Sequence, residues 1–147
     1  MNKRRIVTIL LVLCIGFIAG CGSKKNEVTI RGTVKVAGKP VDAGIIQFLP
    51  VNKDTFEGGG NITNGTFEAT VPYGEMVVKF RGVEYVKKDA DGNPLGGEII
   101  KNESGATVNY KDPPSKKLVP DKYWNNSDVR VTVEDAKQPF DFDLDAN

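Results

Sequence analysis

The sequence predicts an all-β domain, a seven-stranded sandwich of immunoglobulin-like type, on three observations. Apolar and polar residues alternate with a period of two in several short segments after Val28, as in half-buried antiparallel strands. The 16 Gly and 8 Pro provide turn signals between many of those segments. No apolar stripe of helical period follows residue 20. Short strands with closely spaced turns are typical of a sandwich.

Each strand is predicted from the alternation of its apolar and polar residues and from the turn residues beside it. The strongest hairpin signal is Asn64-Gly65, between two such segments. The glycine-rich segment 58–63 is the weakest, and we place it at a sheet edge or a bulge. The seven predicted strands are 28–36, 45–49, 58–63, 67–71, 76–81, 129–133 and 140–144.

The last two segments alternate most clearly and predict an antiparallel pair. Their apolar faces must match, which sets Val133 opposite Phe140 and Arg130 opposite Asp143. The acidic residues of the last segment share the solvent face. We expect a solubilising, edge-protecting stripe there rather than a catalytic pair, because no apolar pocket would keep one carboxyl protonated. They are Asp141, Asp143 and Asp145.

The composition excludes several kinds of site. The 20 Lys+Arg and 19 Asp+Glu give a formal net charge of +1, so the charge balance shows no nucleic-acid footprint. The chain has no His, which excludes Ser-His-Asp and Cys-His nucleophile systems and His-ligated zinc or iron. We expect no nucleic-acid partner, no cofactor beyond the calcium considered below, and no enzymatic activity.

Residues 1–20 predict a signal peptide. Lys3, Arg4 and Arg5 precede an apolar run over 6–19, which is shorter than the ~20 residues of a transmembrane helix. The run ends in Ile18, Ala19, Gly20 and Cys21, which together resemble the lipobox of bacterial lipoproteins. An ordinary signal peptide with a chance Cys, or a signal anchor, is the alternative.

The lipobox resemblance implies lipid attachment at Cys21. Its thiol would carry diacylglycerol, cleavage would precede it, and its new amino group would take an acyl chain such as palmitate. Two or three acyl chains anchor a protein durably. Residues 21–27 would then be a lipidated tether, and the domain would face the periplasm or the cell surface. Gly22 replaces the Asp that retains some lipoproteins at the inner membrane, which favours the outer membrane.

Residues 84–117 interrupt the strand pattern with a polar insertion. A structureless loop of that length is unusual in a compact domain. We therefore expect a functional or partly mobile segment, with a small hairpin or flap formed by Ile99, Ile100, Val108 and Tyr110.

Several short motifs, in order, resemble carboxypeptidase regulatory-like domains, and in particular small lipoproteins of that type in planctomycete bacteria. They include Arg31-Gly32-Thr33-Val34, Gly38-Lys39-Pro40-Val41 and Ile46-Gln47-Phe48. The resemblance implies a transthyretin-like (prealbumin-like) sandwich over 28–145 and a location at the cell envelope, but no settled activity. Transthyretin-like hydrolases use His and a Tyr-Arg-Gly-Ser ending, both of which this chain lacks.

An aromatic cluster is the leading candidate for a ligand site. Tyr110, Tyr123 and Trp124 could stack on a sugar, while the Asn125 amide bonds its hydroxyl groups. The competing interpretation, which we favour, is that Tyr123 or Trp124 closes one end of the core.

A second candidate is a weak calcium site. Asp89, Asp91 and Asn93 are spaced like the first ligands of a calcium loop, although Pro94 replaces the Gly that an EF-hand needs. The same residues form a good turn, and we favour the turn.

Together these observations predict a lipid-anchored binding or structural module of the cell envelope, not an enzyme. Its partners would be membrane lipid, through Cys21, and an unknown envelope protein or glycan. One alternative is a carbohydrate-binding module that uses the aromatic residues. The other is an accessory subunit of an envelope enzyme or complex, which the insertion would contact.

Overall fold

A computed structural model describes residues 26–53, 55–136 and 138–147. The predicted signal peptide, the lipobox residues Ile18, Ala19 and Gly20, and the predicted lipid-attachment residue Cys21 lie outside the described residues. Within the described ranges, no helix has the length and apolarity needed to cross a membrane.

The described chain is almost entirely β-structure, which confirms the predicted all-β class. One helix, α1, spans Lys122–Asn125. The strands are β1 (Glu27–Val36), β2 (Lys39–Pro40), β3 (Ala43–Pro50), β4 (Gly58–Thr63), β5 (Thr66–Pro72), β6 (Gly74–Tyr85), β7 (Glu98–Lys101), β8 (Thr107–Lys111), β9 (Ser115–Lys117), β10 (Arg130–Val133) and β11 (Phe140–Leu144).

Nine strands form one curled sheet. The main path runs β10-β6-β3-β4-β5-β1-β11, while β2 pairs with β1 and β9 pairs with β6. Its pairs are antiparallel except for β1 and β11, which run parallel. The strands β7 and β8 form a separate hairpin.

The core lies on the concave side of the curl, where the predicted apolar face of each main strand converges. Alternate residues point inward because successive side chains of a strand face opposite ways. The Phe80 ring contacts the Phe142 ring at a centroid distance of 4.9 Å. The core also contains Val119 and Tyr123, which follow the insertion. The fully enclosed side chains include Ile30, Val34, Val41, Ile46, Phe48, Val71, Met76, Val78 and Phe80.

The hairpin predicted at Asn64-Gly65 is confirmed. Asn64 has φ 48° and Gly65 has φ 77°, the left-handed backbone that a tight two-residue turn requires. This turn joins β4 to β5, with Thr63 opposite Thr66.

The predicted pairing of the last two strands is wrong. β10 pairs with β6, and β11 pairs with β1. Arg130 accordingly lies 3.7 Å from Glu75 rather than opposite Asp143. The alternation of apolar residues fixes which face of a strand is buried, but several partners satisfy it. Phe142 matches Val34 as well as it would have matched Val131.

The predicted placement of β4 at an edge or a bulge is also wrong, because β4 lies between β3 and β5 and keeps one register with each. Its glycines have a packing role. A Cβ atom at Gly60 would lie 2.0 Å from the carbonyl oxygen of Glu68, and one at Gly58 would lie 2.4 Å from that of Thr70. Glycine therefore permits close approach of neighbouring backbones in the middle of the sheet.

The insertion is shorter than the predicted 84–117. β6 continues to Tyr85, and Tyr85 pairs with Ser115, so the segment outside the sheet is 86–114. It carries the predicted hairpin, in which Ile99 lies opposite Tyr110.

Candidate functional site

The helix α1 separates the two aromatic residues on which the ligand prediction depends. The N–H groups of Trp124 and Asn125 both donate to the carbonyl oxygen of Asp121, at 3.0 and 2.9 Å. Successive side chains of an α-helix diverge by about 100°. Tyr123 therefore points into the core while Trp124 points toward the outer side of β6.

Tyr123 belongs to the core. Its side chain is buried, and its ring meets Phe80 edge-on at a centroid distance of 6.3 Å. Its hydroxyl oxygen accepts the N–H of Asp145 at 3.0 Å. The core interpretation is thus confirmed for Tyr123. Tyr123 also lines a cleft beside β11, and its contact with a ligand stays a prediction.

Trp124 is half-buried and lies against Arg81. The Arg81 guanidinium carbon sits 4.2 Å from the centroid of the indole ring, a cation–π contact. Arg81 is exposed on the outer side of β6. The contact covers one face of the ring and holds the indole beside the sheet surface.

A groove, here called the Trp124 groove, runs from this indole across the outer side of β3 and β4. Its volume is about 480 Å³. Ile45 forms one wall, with Arg81 and Asn61 as its direct neighbours on β6 and β4. The glycine run 58–60 leaves part of the groove without side chains, which makes it deeper. Its lining residues are Ile45, Ile46, Gln47, Glu57, Gly58, Gly59, Gly60, Asn61 and Trp124.

Polar groups converge on the same groove. Gln47 donates through Nε2 to Glu57 Oε2 at 3.2 Å, which orients both side chains. The Asn61 side chain is exposed on β4. An aromatic edge, an apolar wall and a few amide and carboxylate groups can together hold a hydroxyl-rich ligand.

The other predicted ligand residues do not join this groove. Tyr110 is exposed on β8, within the insertion, and Asn125 is exposed on α1 but does not line the groove. The groove residues Ile45, Gln47 and Asn61, and Arg81 beside the indole, were not predicted, since each occupies an ordinary strand position in the sequence. The one sequence signal for them was the run Gly58-Gly59-Gly60.

A second cleft, of about 530 Å³, opens between β11 and the segment that precedes β10. The acidic stripe of β11 borders it. The Asp141 carboxylate accepts the Thr33 hydroxyl at 2.7 Å, and the Asp143 carboxylate accepts the Gly38 N–H at 2.9 Å. These carboxylates tie β11 to β1 at the end of the sheet, which is consistent with the predicted structural role of the stripe.

The predicted calcium residues form a turn. Asp89 Oδ1 accepts the N–H groups of Asp91 and Asn93, at 3.0 and 2.8 Å, and Oδ2 accepts the Asn93 amide at 3.0 Å. The hydrogen bond from the Asn93 side chain is the main cause that lowers the pKa of Asp89. In the described part of the chain, no three Cys, Asp or Glu side chains group as a metal site would require. Calcium binding stays a prediction, for a titration to test.

One buried ion pair fastens the base of the insertion. The Asp42 carboxylate is buried and accepts Lys88 Nζ at 2.9 and 3.0 Å and the Tyr85 N–H at 2.8 Å. The Val86 N–H donates to the Pro114 carbonyl at 2.9 Å, which closes the base of the insertion. This ion pair was not predicted, although an acidic residue between the apolar residues Val41 and Ala43 could have indicated a buried, paired carboxylate.

A second charged cluster lies near the C-terminal end of β6, where the Asp42 ion pair also lies. Glu84 is 14% exposed and pairs with Lys39 at 2.7 Å and with Lys116 at 3.1 Å. Hydrogen bonds from Lys39 and then Lys116 hold the pKa of the Glu84 carboxyl below its usual value. The cluster links the β1–β2 region, β6 and β9.

Comparison with known protein families, with curated proteins and with solved structures finds no match to this chain.

Proposed function

We propose that the chain is a lipid-anchored, non-catalytic binding module of the cell envelope, and that the Trp124 groove is its ligand site. The observation that carries the binding proposal is the groove itself, which combines an indole edge with the amide and carboxylate groups of Gln47, Asn61 and Glu57. The anchor rests on the lipobox resemblance of residues 18–21.

The ligand class best suited to the groove is a glycan. Sugars offer an apolar ring face for stacking and hydroxyl groups that amides and carboxylates bind. Arg81 covers one face of the indole and holds the ring in place, so a sugar would stack on the remaining face. The open shape of the groove suits an extended chain.

Retention on insoluble envelope polysaccharide tests this assignment. We expect the wild-type protein to be retained and Trp124→Ala to be washed off. Tyr110→Ala is the matched control, because Tyr110 is an exposed aromatic residue outside the groove. Loss of retention in Tyr110→Ala alone would move the site to the β7–β8 hairpin, and equal retention of both variants would refute aromatic stacking.

A second candidate function is that of an accessory subunit, and the β7–β8 hairpin favours it. Ile99, Ile100 and Tyr110 are 59%, 41% and 54% exposed on that hairpin. Several exposed apolar side chains in one small hairpin are typical of a protein interface. Cross-linking the lipidated protein in its own envelope should recover a partner in near-equal amount, and the Ile99→Ser/Ile100→Ser variant should lose it.

We also propose that the curled sheet is a transthyretin-like sandwich. The strand count of its main path supports this, and so does the motif Gly38-Lys39-Pro40-Val41, in which Lys39 and Pro40 form β2 against β1. An experimentally determined structure tests the proposal. Two facing sheets, with β11 and β10 in different layers, would agree with it.

A further inference from the structure

The strand directions show which connections between strands lie at the same end of the domain. Glu27 at the start of β1 lies opposite Pro72 at the end of β5, and Pro50 at the end of β3 lies opposite Met76 near the start of β6. The start of β1, the β3–β4 connection and the β5–β6 turn therefore share one end, here called the tether end. The insertion follows Tyr85, at the far end of β6.

Three large apolar side chains are exposed at the tether end. Val51 and Phe56, both in the β3–β4 connection, are each 46% exposed, and Tyr73 in the β5–β6 turn is 41% exposed. The Val51 N–H donates to the Glu75 carbonyl at 3.0 Å, so the two connections lie side by side. Single exposed apolar residues are ordinary, but a group of three at one end of a domain is typical of an interaction surface.

The chain itself indicates what covers this group. Glu27 follows Cys21 by six residues. An extended tether of that length spans about 20 Å at most, so acyl chains on Cys21 would hold the tether end close to a bilayer. The insertion lies beyond the 12 residues of β6, roughly 36 Å further along the strand direction.

The charges at the tether end specify the kind of bilayer. Glu57 and Glu75 lie beside the apolar group, and Lys53 is in the β3–β4 connection. Acidic side chains outnumber basic ones among the described residues there, so attraction to anionic lipid is not expected. Phe and Tyr side chains instead favour the interface of a zwitterionic bilayer, where an apolar ring is buried and a hydroxyl stays hydrated.

We infer that Val51, Phe56 and Tyr73 rest in the interface of a zwitterionic bilayer, which directs the insertion away from the membrane surface and sets the Glu57 end of the Trp124 groove beside it. The inference rests on the proposed lipid anchor at Cys21. Its consequence is a fixed posture, in which the β7–β8 hairpin projects away from the membrane and the groove runs outward from Glu57, on the membrane side, toward Trp124.

Quenching by brominated phosphatidylcholine tests this posture. Two lipidated variants each carry a single Trp, Trp124→Phe/Phe56→Trp at the tether end and Trp124→Phe/Ile99→Trp on the β7–β8 hairpin. Both new positions are solvent-exposed. In vesicles of brominated phosphatidylcholine we expect Trp fluorescence to be lost for the first variant and retained for the second.

Flotation with the same vesicles separates the two proposals. If the protein floats but position 56 is not quenched, or position 99 is quenched equally, the anchor stands and the inferred posture is wrong. If the protein does not float, the lipid anchor itself fails and the posture fails with it. Flotation with selective quenching at position 56 supports both.

Discussion

The guanidinium of Arg81 lies over the indole of Trp124, with 4.2 Å between the guanidinium carbon and the ring centroid. This contact joins the short helix α1 to the outer side of β6. It holds Trp124 at the mouth of the groove, while the neighbouring Tyr123 faces the core. The binding proposal depends on this placement.

Arg81→Ala should loosen Trp124 without unfolding the domain. An exposed cation–π contact contributes about 0.5–1 kcal/mol, so the free energy of unfolding should fall little. The emission maximum of the chain's single Trp should shift to longer wavelength as water reaches the ring. Lys79→Ala is the control, because Lys79 lies two residues away on the same side of β6. An equal shift in both variants would contradict the contact.

Asp42→Ala should release the insertion. Its buried carboxylate accepts two donors from the insertion base, and removing one partner of a buried ion pair costs about 3–5 kcal/mol. Lys88 is 33% exposed, which reduces the expected loss of unfolding free energy to about 2–4 kcal/mol. Hydrogen exchange over 86–96 should accelerate. Asp91→Ala, on the exposed turn of the insertion, should change neither quantity. Unchanged hydrogen exchange in Asp42→Ala would refute the role of the Asp42–Lys88 ion pair in holding the insertion.

Tyr123 and Trp124 should differ in their effect on stability. Tyr123→Ala should lower the free energy of unfolding by about 3–5 kcal/mol, as for other large buried aromatic residues. Tyr123→Phe should lose only the hydrogen bond from the Asp145 N–H, about 1 kcal/mol. Trp124→Ala should cost less than Tyr123→Ala because its ring is half-exposed. Chemical denaturation measures all three, and a reversed order would contradict the assignment of Tyr123 to the core.

Glu84 should contribute stability that depends on pH. Its folded pKa is lowered by Lys39 and Lys116, so the contribution is full above the unfolded pKa of about 4.3 and is lost as the pH falls through the folded pKa. The stability gap between wild type and Glu84→Gln should therefore close in acid. Urea unfolding across this pH range measures it, with Glu103→Gln as the exposed control. A constant gap would refute the charge cluster.

The sequence predicted the strands better than their partners. Alternation and turn chemistry are local, so β1, β5 and the Asn64-Gly65 hairpin follow from them directly. Pairing is non-local, and apolar alternation could not distinguish β1 from β10 as the partner of β11. The short helix α1 escaped prediction because four residues do not establish a helical period.

The candidate site was predicted only at Trp124. The groove arises where side chains from β3, β4 and α1 meet, and no local pattern brings Ile45, Asn61 and Trp124 together. Tyr123 was grouped with Trp124 by residue type, but the direction of each side chain on α1 separated them. From the sequence alone, the glycines of β4 indicated a poorly formed strand. In the sheet they allow the backbones of the neighbouring strands to approach closely.

Fluorescence titration of Trp124 would show directly whether a glycan enters the Trp124 groove, because Trp124 is the single Trp of the chain and lines the proposed ligand site. Soluble oligosaccharides from envelope polysaccharides would be added to the wild-type protein and to Arg81→Ala. We expect a saturable change in emission in the wild type and weaker binding by Arg81→Ala. Emission that stays constant across the whole panel, with the domain folded, would contradict a glycan site in this groove.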